Sequence, residues 1–468
     1  MKKKRFWRMC ALGLSAVAAV GSAYGSTALA SEGGEDTITA ILPPVTSSYQ
    51  EKMDQWIADY EEANPGITIE VVSASWEDFD QKLDVQVNAG SPPDVAFISS
   101  GNIAKYIDTE MVLDISQYAS EEMLEDFDES IMEYMKNGEG VYGFPAYCSV
   151  QAIGGNKELF EAAGIDWQDI QQNGWTFDEF RDACKKLTVK DGDEVTQYGF
   201  VAACSGTSVS DYFDILAKNA GMPSPFDEDL KYAYTSENML TLLQSYRDLI
   251  DDGSAPESMA TIDGTKKNNM LYTGEAAMIC KGTPTGESAA YANTKALEAG
   301  DGSAVEGSVP VEYIFLPAPV FDGYTQNAQG TVDGYVCFAA ETEGNEAHIQ
   351  NVIDFAYYMA SGKTAAEVCQ DLYVTPVCAS GREASADLPA IEGKSVENEE
   401  TIARLQEEVA PARPDIPSEL LTESSKIKEE VIFPKLSSLL SGETTPEEML
   451  EAIRDAAYDA FGEENCLS

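Results

Sequence analysis

Residues 67–98 read ITIEVVSASWEDFDQKLDVQVNAGSPPDVAFI. Ile67–Val72 is a short β-branched run. Trp76, Phe79, Leu83 and Val87 then recur at helical spacing, with Asn88 and Gly90 near the end of that helix. Asp94–Ile98 follows as a buried strand. The alternation extends upstream. Thr37–Leu42 is β-rich and stops at Pro43-Pro44. Ser48–Ala63 carries Tyr49, Met53, Trp56, Ile57 and Tyr60 on one stripe, and Pro65-Gly66 ends it. Strands separated by helices must be joined by crossovers, so the sequence predicts an α/β fold with a parallel sheet.

The pattern continues downstream. Thr176 and Glu179 form a capping-box pair before a helix with Phe177, Phe180, Cys184 and Leu187 on one face. Thr445, Pro446 and Glu448 open the last helix in the same way, with Met449, Leu450, Ile453, Ala457 and Phe461 as its apolar stripe. Stretches 188–196, 251–268, 282–310, 322–333 and 379–400 read as loops, and the acidic, proline-dotted tract 379–435 as a surface excursion. The sequence shows no internal repeat.

Composition narrows the function. The 468 residues hold 81 acidic and 30 basic side chains, a formal charge of −51. Such a chain repels phosphate backbones and anionic lipid, which argues against a nucleic-acid or membrane-surface partner. A single histidine, His348, argues against His-ligated zinc and against Ser-His-Asp or Cys-His catalysis. No metal or cofactor is expected. Asp191-Gly-Asp-Glu194 lacks the remaining spacing of a calcium loop and reads as a turn.

Residues 1–30 have the form of a signal peptide: Lys2, Lys3, Lys4, Arg5 and Arg8, a short apolar core over 11–24, and a small-x-small site at Ala28-Leu29-Ala30. Cleavage is expected after Ala30, giving an exported, extracellular or cell-surface protein. Cys10 precedes the apolar core, so it does not read as a lipid-attachment site. Eight cysteines remain, at 148, 184, 204, 280, 337, 369, 378 and 466. Several sit singly in apolar patterns and read as buried thiols. Cys369 and Cys378, with Pro376 between, form a modest local candidate for a disulfide.

Several segments, in order, resemble the extracellular solute-binding proteins of ABC importers, specifically the carbohydrate-binding group related to maltose-binding protein. They are Asn88-Ala-Gly-Ser-Pro-Pro-Asp-Val95, Gly143-Phe-Pro-Ala-Tyr147 with Gly155-Asn-Lys-Glu-Leu-Phe160, Trp175-Thr-Phe-Asp-Glu-Phe180 and Tyr272-Thr-Gly-Glu-Ala-Ala-Met278. Leu316-Pro317, Asp333-Gly334-Tyr335 and Thr375-Pro376-Val377 complete the series. The tryptophan that often follows the family's "AAM" strand is absent here, where Lys281-Gly-Thr-Pro-Thr285 stands.

The resemblance implies a two-lobed periplasmic-binding-protein-like fold, hinged, with ligand in the cleft. Lobe one would comprise 36–147 and 285–332, lobe two 154–278 and 338–468, with crossings at 148–153, 279–284 and 333–337. The implied function is capture of a carbohydrate, expected to be a neutral oligosaccharide, by lobe closure. The captured sugar would then pass to an ABC transporter permease. No catalysis is implied, and the chain is expected to be monomeric.

Sugars present C–H faces to aromatic rings and hydroxyls to polar side chains. In parallel sheets those groups lie at the carboxyl ends of strands. That rule selects Pro44 and Ser47 after the first strand and Trp76 and Asp78 after the second. After the third it selects Ser99, Ser100, Gly101 and Asn102. Tyr147 lies at the first crossing, Lys281 and Thr283 after the "AAM" strand, and Asp333, Gly334 and Tyr335 at the third crossing. Asp211 and Tyr212, and Arg382 beyond the Thr375–Val377 strand, complete the set. Each has a plainer alternative: Trp76, Tyr147 and Tyr335 as packing rings, Asp333 as a turn cap, and Arg382, like Asp211 and Tyr212, as a surface residue. The absence of a basic cleft motif argues against anionic cargo. A polyamine-type cation, or a two-carboxylate glycoside hydrolase, are the competing readings.

Overall fold

The computed structural model describes residues 36–468, apart from 46–48, 75, 108–109, 301, 340–343, 411–412 and 414. The expected signal peptide therefore lies outside the described residues.

The amino-terminal alternation is built as read. Strands β1 (Asp36–Leu42), β2 (Ile67–Ser73) and β3 (Val95–Ser99) are joined by helices α1 (Tyr49–Ala63) and α2 (Trp76–Asn88). β1 lies between β2 and β3 and pairs with both in parallel. Tyr49, Met53, Trp56 and Tyr60 of α1, and Phe79, Leu83 and Val87 of α2, are the buried faces. Helix α3 (Ser100–Ile107) follows β3 directly.

One strand makes the molecule continuous. β4 (Phe144–Asn156) is 13 residues long. Its first part pairs with β9 (Gln329–Cys337), and its last part with β7 (Ala276–Gly282) and β8 (Tyr313–Leu316). A hairpin of β5 (Val189–Asp191) and β6 (Glu194–Val201) adds β6 parallel to β7. The nine strands run in the order β2-β1-β3-β9-β4-β7-β6-β5, with β8 beside β4.

Further helices are α4 (Phe177–Leu187), α5 (Asp211–Asn219), α6 (Gly264–Tyr272), α7 (Pro284–Ala299), α8 (Glu346–Ala360), α9 (Gly362–Leu372), α10 (Ala379–Ser385), α11 (Val396–Glu407) and α12 (Pro446–Phe461); the helices Glu237–Asp251, Ser418–Ile427 and Phe433–Ser441 and several short pieces lie between them. Both capping boxes are present, Thr176 with Glu179 and Thr445 with Glu448. The stretch 282–310, read as a loop, instead holds α7. Pro284 occupies its first turn, where the missing N–H costs nothing, and Gly300 closes it in the left-handed region. The tract 379–435 is largely helical, holding α10, α11 and Ser418–Ile427 and running on into the helical segments Lys428–Ile432 and Phe433–Ser441, and Asn398, Thr401, Ile402 and Leu405 of α11 are buried.

Two hydrophobic cores flank the long strands. One gathers β1, β3, the start of β4, β9, α8 and α9. The other gathers α4, α5, the helix 237–251 and α12. This packing differs from the lobe boundaries expected from sequence. Phe338 and the buried residues from Ile349 to Leu405 join the first core, whereas the sequence predicts them with 154–278. The reason is β9: it pairs with β3 and the start of β4, so the helices after it fold back onto that sheet. Residues 313–316 alternate, with Tyr313 and Phe315 in the first core and Ile314 and Leu316 in the second. From Ile416 onward the chain belongs to the second core.

All eight cysteines from 148 to 466 are buried and unbridged. Cys369 and Cys378 are not paired: their sulfurs face the backbone carbonyls of Ala146 and Ala360. Burial pushes the Cys148 and Cys280 thiols up to about 12, so the reactive thiolate is scarce at neutral pH. An aromatic disulfide reagent is expected to titrate none of the eight in the native protein and all eight in denaturant. Fast labelling without denaturant would contradict the packing.

Candidate functional site

The parallel strands of both halves end on one short piece of β4. β3 ends at Ser99, level with Asp333 of β9, and Asp333 is level with Tyr147 of β4. From the opposite direction β7 ends at Gly282, level with Ala152. Tyr147 and Ala152 are five positions apart, about 17 Å of extended chain. Both ladders are irregular here, with register shifts at Asp333/Gly334 and at Ala152/Ile153. Bulges of this kind re-aim side chains beside binding sites. The chains also approach closely: a Cβ on Gly282 would lie 2.3 Å from the Gly154 nitrogen.

On the first side, Ser99, Asp333 and Tyr147 sit side by side on three adjacent strands. The Asp333 carboxylate accepts hydrogen bonds from the Tyr147 and Ser99 side chains. Burial nevertheless dominates and raises the Asp333 carboxyl above its ordinary value. Tyr147 is only 5% exposed, and burial together with Asp333 keeps its hydroxyl protonated.

On the second side, a cavity of about 300 Å³ opens at the end of β7. Asp211, Lys267, Lys281, Thr283, Tyr272 and Tyr313 are among its lining residues. Lys281 Nζ donates to Asp211 Oδ1 at 2.7 Å. Asp211 is 3% exposed, and its Oδ2 has no partner among the described residues. It begins α5, where the helix N-terminus favours a carboxylate. Lys267 on α6 is equally buried and donates to the carbonyls of Cys280 and Lys281, at 2.7 and 3.3 Å. Burial holds Lys267 below the ordinary lysine range. Lys281 takes a positive φ of 54°, a conformation that costs a non-glycine residue stability. Thr283 and Thr285 share a hydrogen bond at 3.1 Å, and the Tyr313 hydroxyl donates to the Thr283 carbonyl.

The model of the bacterial extracellular solute-binding protein family matches residues 43–361, more than half of the chain. The chain belongs to that family. Two solved structures share its fold. One is a cyclic alpha-maltosyl-1,6-maltose binding protein from Arthrobacter globiformis, 16% identical, with 92% of this chain and 100% of that one covered at a TM-score of 0.68. The other is the GacH receptor of Streptomyces glaucescens, solved unliganded and with acarbose: 17% identical, 91% and 99% covered, TM-score 0.66. A putative binding protein of Brucella abortus is 24% identical over 220 residues, 47% of this chain and 51% of the relative. The chain spans about half the length of the curated relatives it matches.

Within this solute-binding fold the sequence-selected residues divide. Ser99, Tyr147 and Asp333 come together on one side, and Asp211, Lys281 and Thr283 on the other. Ser100 and Gly101 begin α3, and Asn102 on that helix is exposed, as are Pro44 and Asp78. Ser47 lies outside the described residues, as does the side chain of Trp76, which begins α2. Three of the selected residues are packed into the interior. Tyr212 is a core ring, fully buried and bonded to Ser245 at 2.8 Å, because α5 turns Asp211 to the cavity and its neighbour inward. Tyr335 is 1% exposed, packed edge-on to Phe97 with its hydroxyl 3.1 Å from that of Tyr49. Gly334 is a packing glycine, since a Cβ there would meet the Phe144 carbonyl at 2.4 Å. Arg382 is held by Asp128 through two bonds of 2.9 Å and lines other cavities of about 490 and 420 Å³.

Lys267 was missed. No basic motif is visible in the sequence, because Lys267 and Lys281 lie 14 positions apart and only the turn from α6 into β7 brings them together. A signal existed: Lys267 shares the buried face of α6 with Met270 and Leu271, at spacings of three and four.

Proposed function

We propose that this protein captures an oligosaccharide between two hinged halves and passes it intact to an ABC transporter permease. One observation carries the reading. Two sets of parallel strands point their carboxyl ends at the same stretch of β4, each with polar side chains at its tip. A solute touching both tips stabilises the closed arrangement by its differential contacts, and no covalent step is needed. The lobes in this reading are 36–147 with 338–405 and 154–278 with 416–468, hinged at β4 and β9; the split of most buried residues between two cores supports it, although Val201, Ile262, Met270, Leu271 and Ala276 pack in the first core. The fold neighbours include proteins that bind acarbose and maltotetraose, which supports a carbohydrate. The family and the signal-like residues 1–30 support export.

The test is thermal unfolding of the mature protein against a library of oligosaccharides, with polyamines as the alternative cargo. A ligand at a hundredfold its Kd adds about 2.7 kcal/mol to native stability. The expected result is a clear rise in Tm with an oligosaccharide that is recovered uncleaved. A rise with polyamines alone, or hydrolysis of the sugar, would overturn the reading.

A further inference from the structure

The cavity beside Lys281 holds more positive charge than its own residues neutralise. Lys281 is paired with Asp211. The buried ammonium of Lys267 gives two bonds to backbone carbonyls and has no carboxylate within ion-pair distance among the described residues. An ammonium has three donors, so one remains on Lys267 and two on Lys281. Buried ions are ordinarily paired, and an unpaired one is costly. In a chain with 81 acids against 30 bases, two lysines over one aspartate at a strand tip form a local reversal of sign. Beside them, Asp211 Oδ2 is buried and has no partner among the described residues, an acceptor waiting for a donor.

We propose that the captured sugar is acidic and that a uronate carboxylate docks between Lys267 and Lys281, with a hydroxyl of the same ring donating to Asp211 Oδ2. The inference rests on the carbohydrate reading above and names its charge. A neutral sugar satisfies Asp211 but leaves Lys267 without a counter-charge. A cation satisfies neither lysine. A sugar acid supplies the anion and the donor on adjacent carbons. The cavity, at about 300 Å³, is at the small end of ligand pockets and suits a single terminal ring. Charge-assisted bonds of this type are about twice as strong as neutral ones. The Lys281 ammonium is fixed in advance by Asp211, and the Lys281 carbonyl by Lys267, so little ordering remains for the ligand to impose.

The experiment is titration calorimetry with trigalacturonate, triglucuronate and trimannuronate, each against its own methyl ester, which keeps sugar and linkage and removes the charge. The wild type is compared with Lys267→Met and Lys281→Gln, after their thermal midpoints are measured. Lys281 is one-third exposed, so Lys281→Gln keeps the test alive if Lys267→Met fails to fold. The expected result is one free acid bound at least tenfold tighter than its ester, with that ratio falling toward one in either variant. Equal binding of acid and ester, or neutral oligosaccharides bound with no effect of either lysine, overturns the acidic cargo and leaves carbohydrate capture standing. Failure of every sugar, acidic or neutral, removes both.

Discussion

Replacing Asp333 by asparagine is expected to weaken sugar capture by roughly thirtyfold while leaving the protein as stable as before, or more so. Asp333 lies on β9 between Ser99 and Tyr147, where the first set of strands ends. A bond from a ligand hydroxyl to a carboxylate contributes about 1.5–3 kcal/mol, and the amide retains only part of it. Stability should move the other way. Burial raises the Asp333 carboxyl above its ordinary value despite the bonds from Tyr147 and Ser99. The native state therefore binds that proton more tightly than the unfolded chain. Its contribution to stability improves as pH falls, and at neutral pH the ionised group is a burden. Asparagine removes the charge and keeps an acceptor for Tyr147. Calorimetry for affinity and urea unfolding for stability check the two halves. Unchanged affinity would take Asp333 out of the site. A loss of several kcal/mol in stability would make it a structural residue.

The second large effect belongs to His348 and to alkaline pH. Its ring nitrogens lie 2.8 Å from Asp36 and 3.1 Å from Asp94. The bond to Asp94, opposed by burial and helped by Asp36, pushes His348 up to about 9 from an ordinary 6.5. The folded value lies above the unfolded one, so the stabilisation is complete below about pH 6.5 and is lost as pH rises through about 9. With the imidazole about one-third exposed, solvent screening leaves on the order of 2 kcal/mol of the full linkage. Asp94 works in the acid range. Burial opposes it, but bonds from His348 and Thr39 hold its carboxyl below the usual range, so that contribution fades as pH falls. The midpoint of urea unfolding is expected to drop between pH 6.5 and 9.5 in the wild type and to stay nearly flat in His348→Gln. Parallel profiles would exclude this cluster as the source. Asp36 begins β1 and Asp94 precedes β3, so the staple holds the end of the sheet opposite the strand tips. Sugar binding should therefore persist in the variant at neutral pH.

How much of this was legible in the sequence depends on the range of the interaction. Periodicity and caps are local, so α1, α2 and both capping boxes follow from residues within a few positions of one another. Lobe membership is not local. Residues 338–405 look like a continuation of the second half until the antiparallel pairing of β9 with β3 is known. The site shows the same divide. Ser99, Asp333 and Tyr147 were legible as neighbours because each ends or crosses a strand. Tyr212 and Tyr335 are core rings beside candidate residues because neighbours point to opposite faces of a strand and about 100° apart around a helix, so one position decides which side is core. Lys267 was invisible as a site residue because its partners are backbone carbonyls, which every sequence has and no motif records.

Small-angle X-ray scattering of the mature protein, alone and with the oligosaccharide that most raises its Tm, puts hinged capture to its most direct trial. If the halves swing shut about β4, the radius of gyration falls when the sugar is added and recovers when it is dialysed away. A sugar that binds tightly while the scattering curve stays the same would mean a rigid pocket, and the account of two closing halves would be wrong.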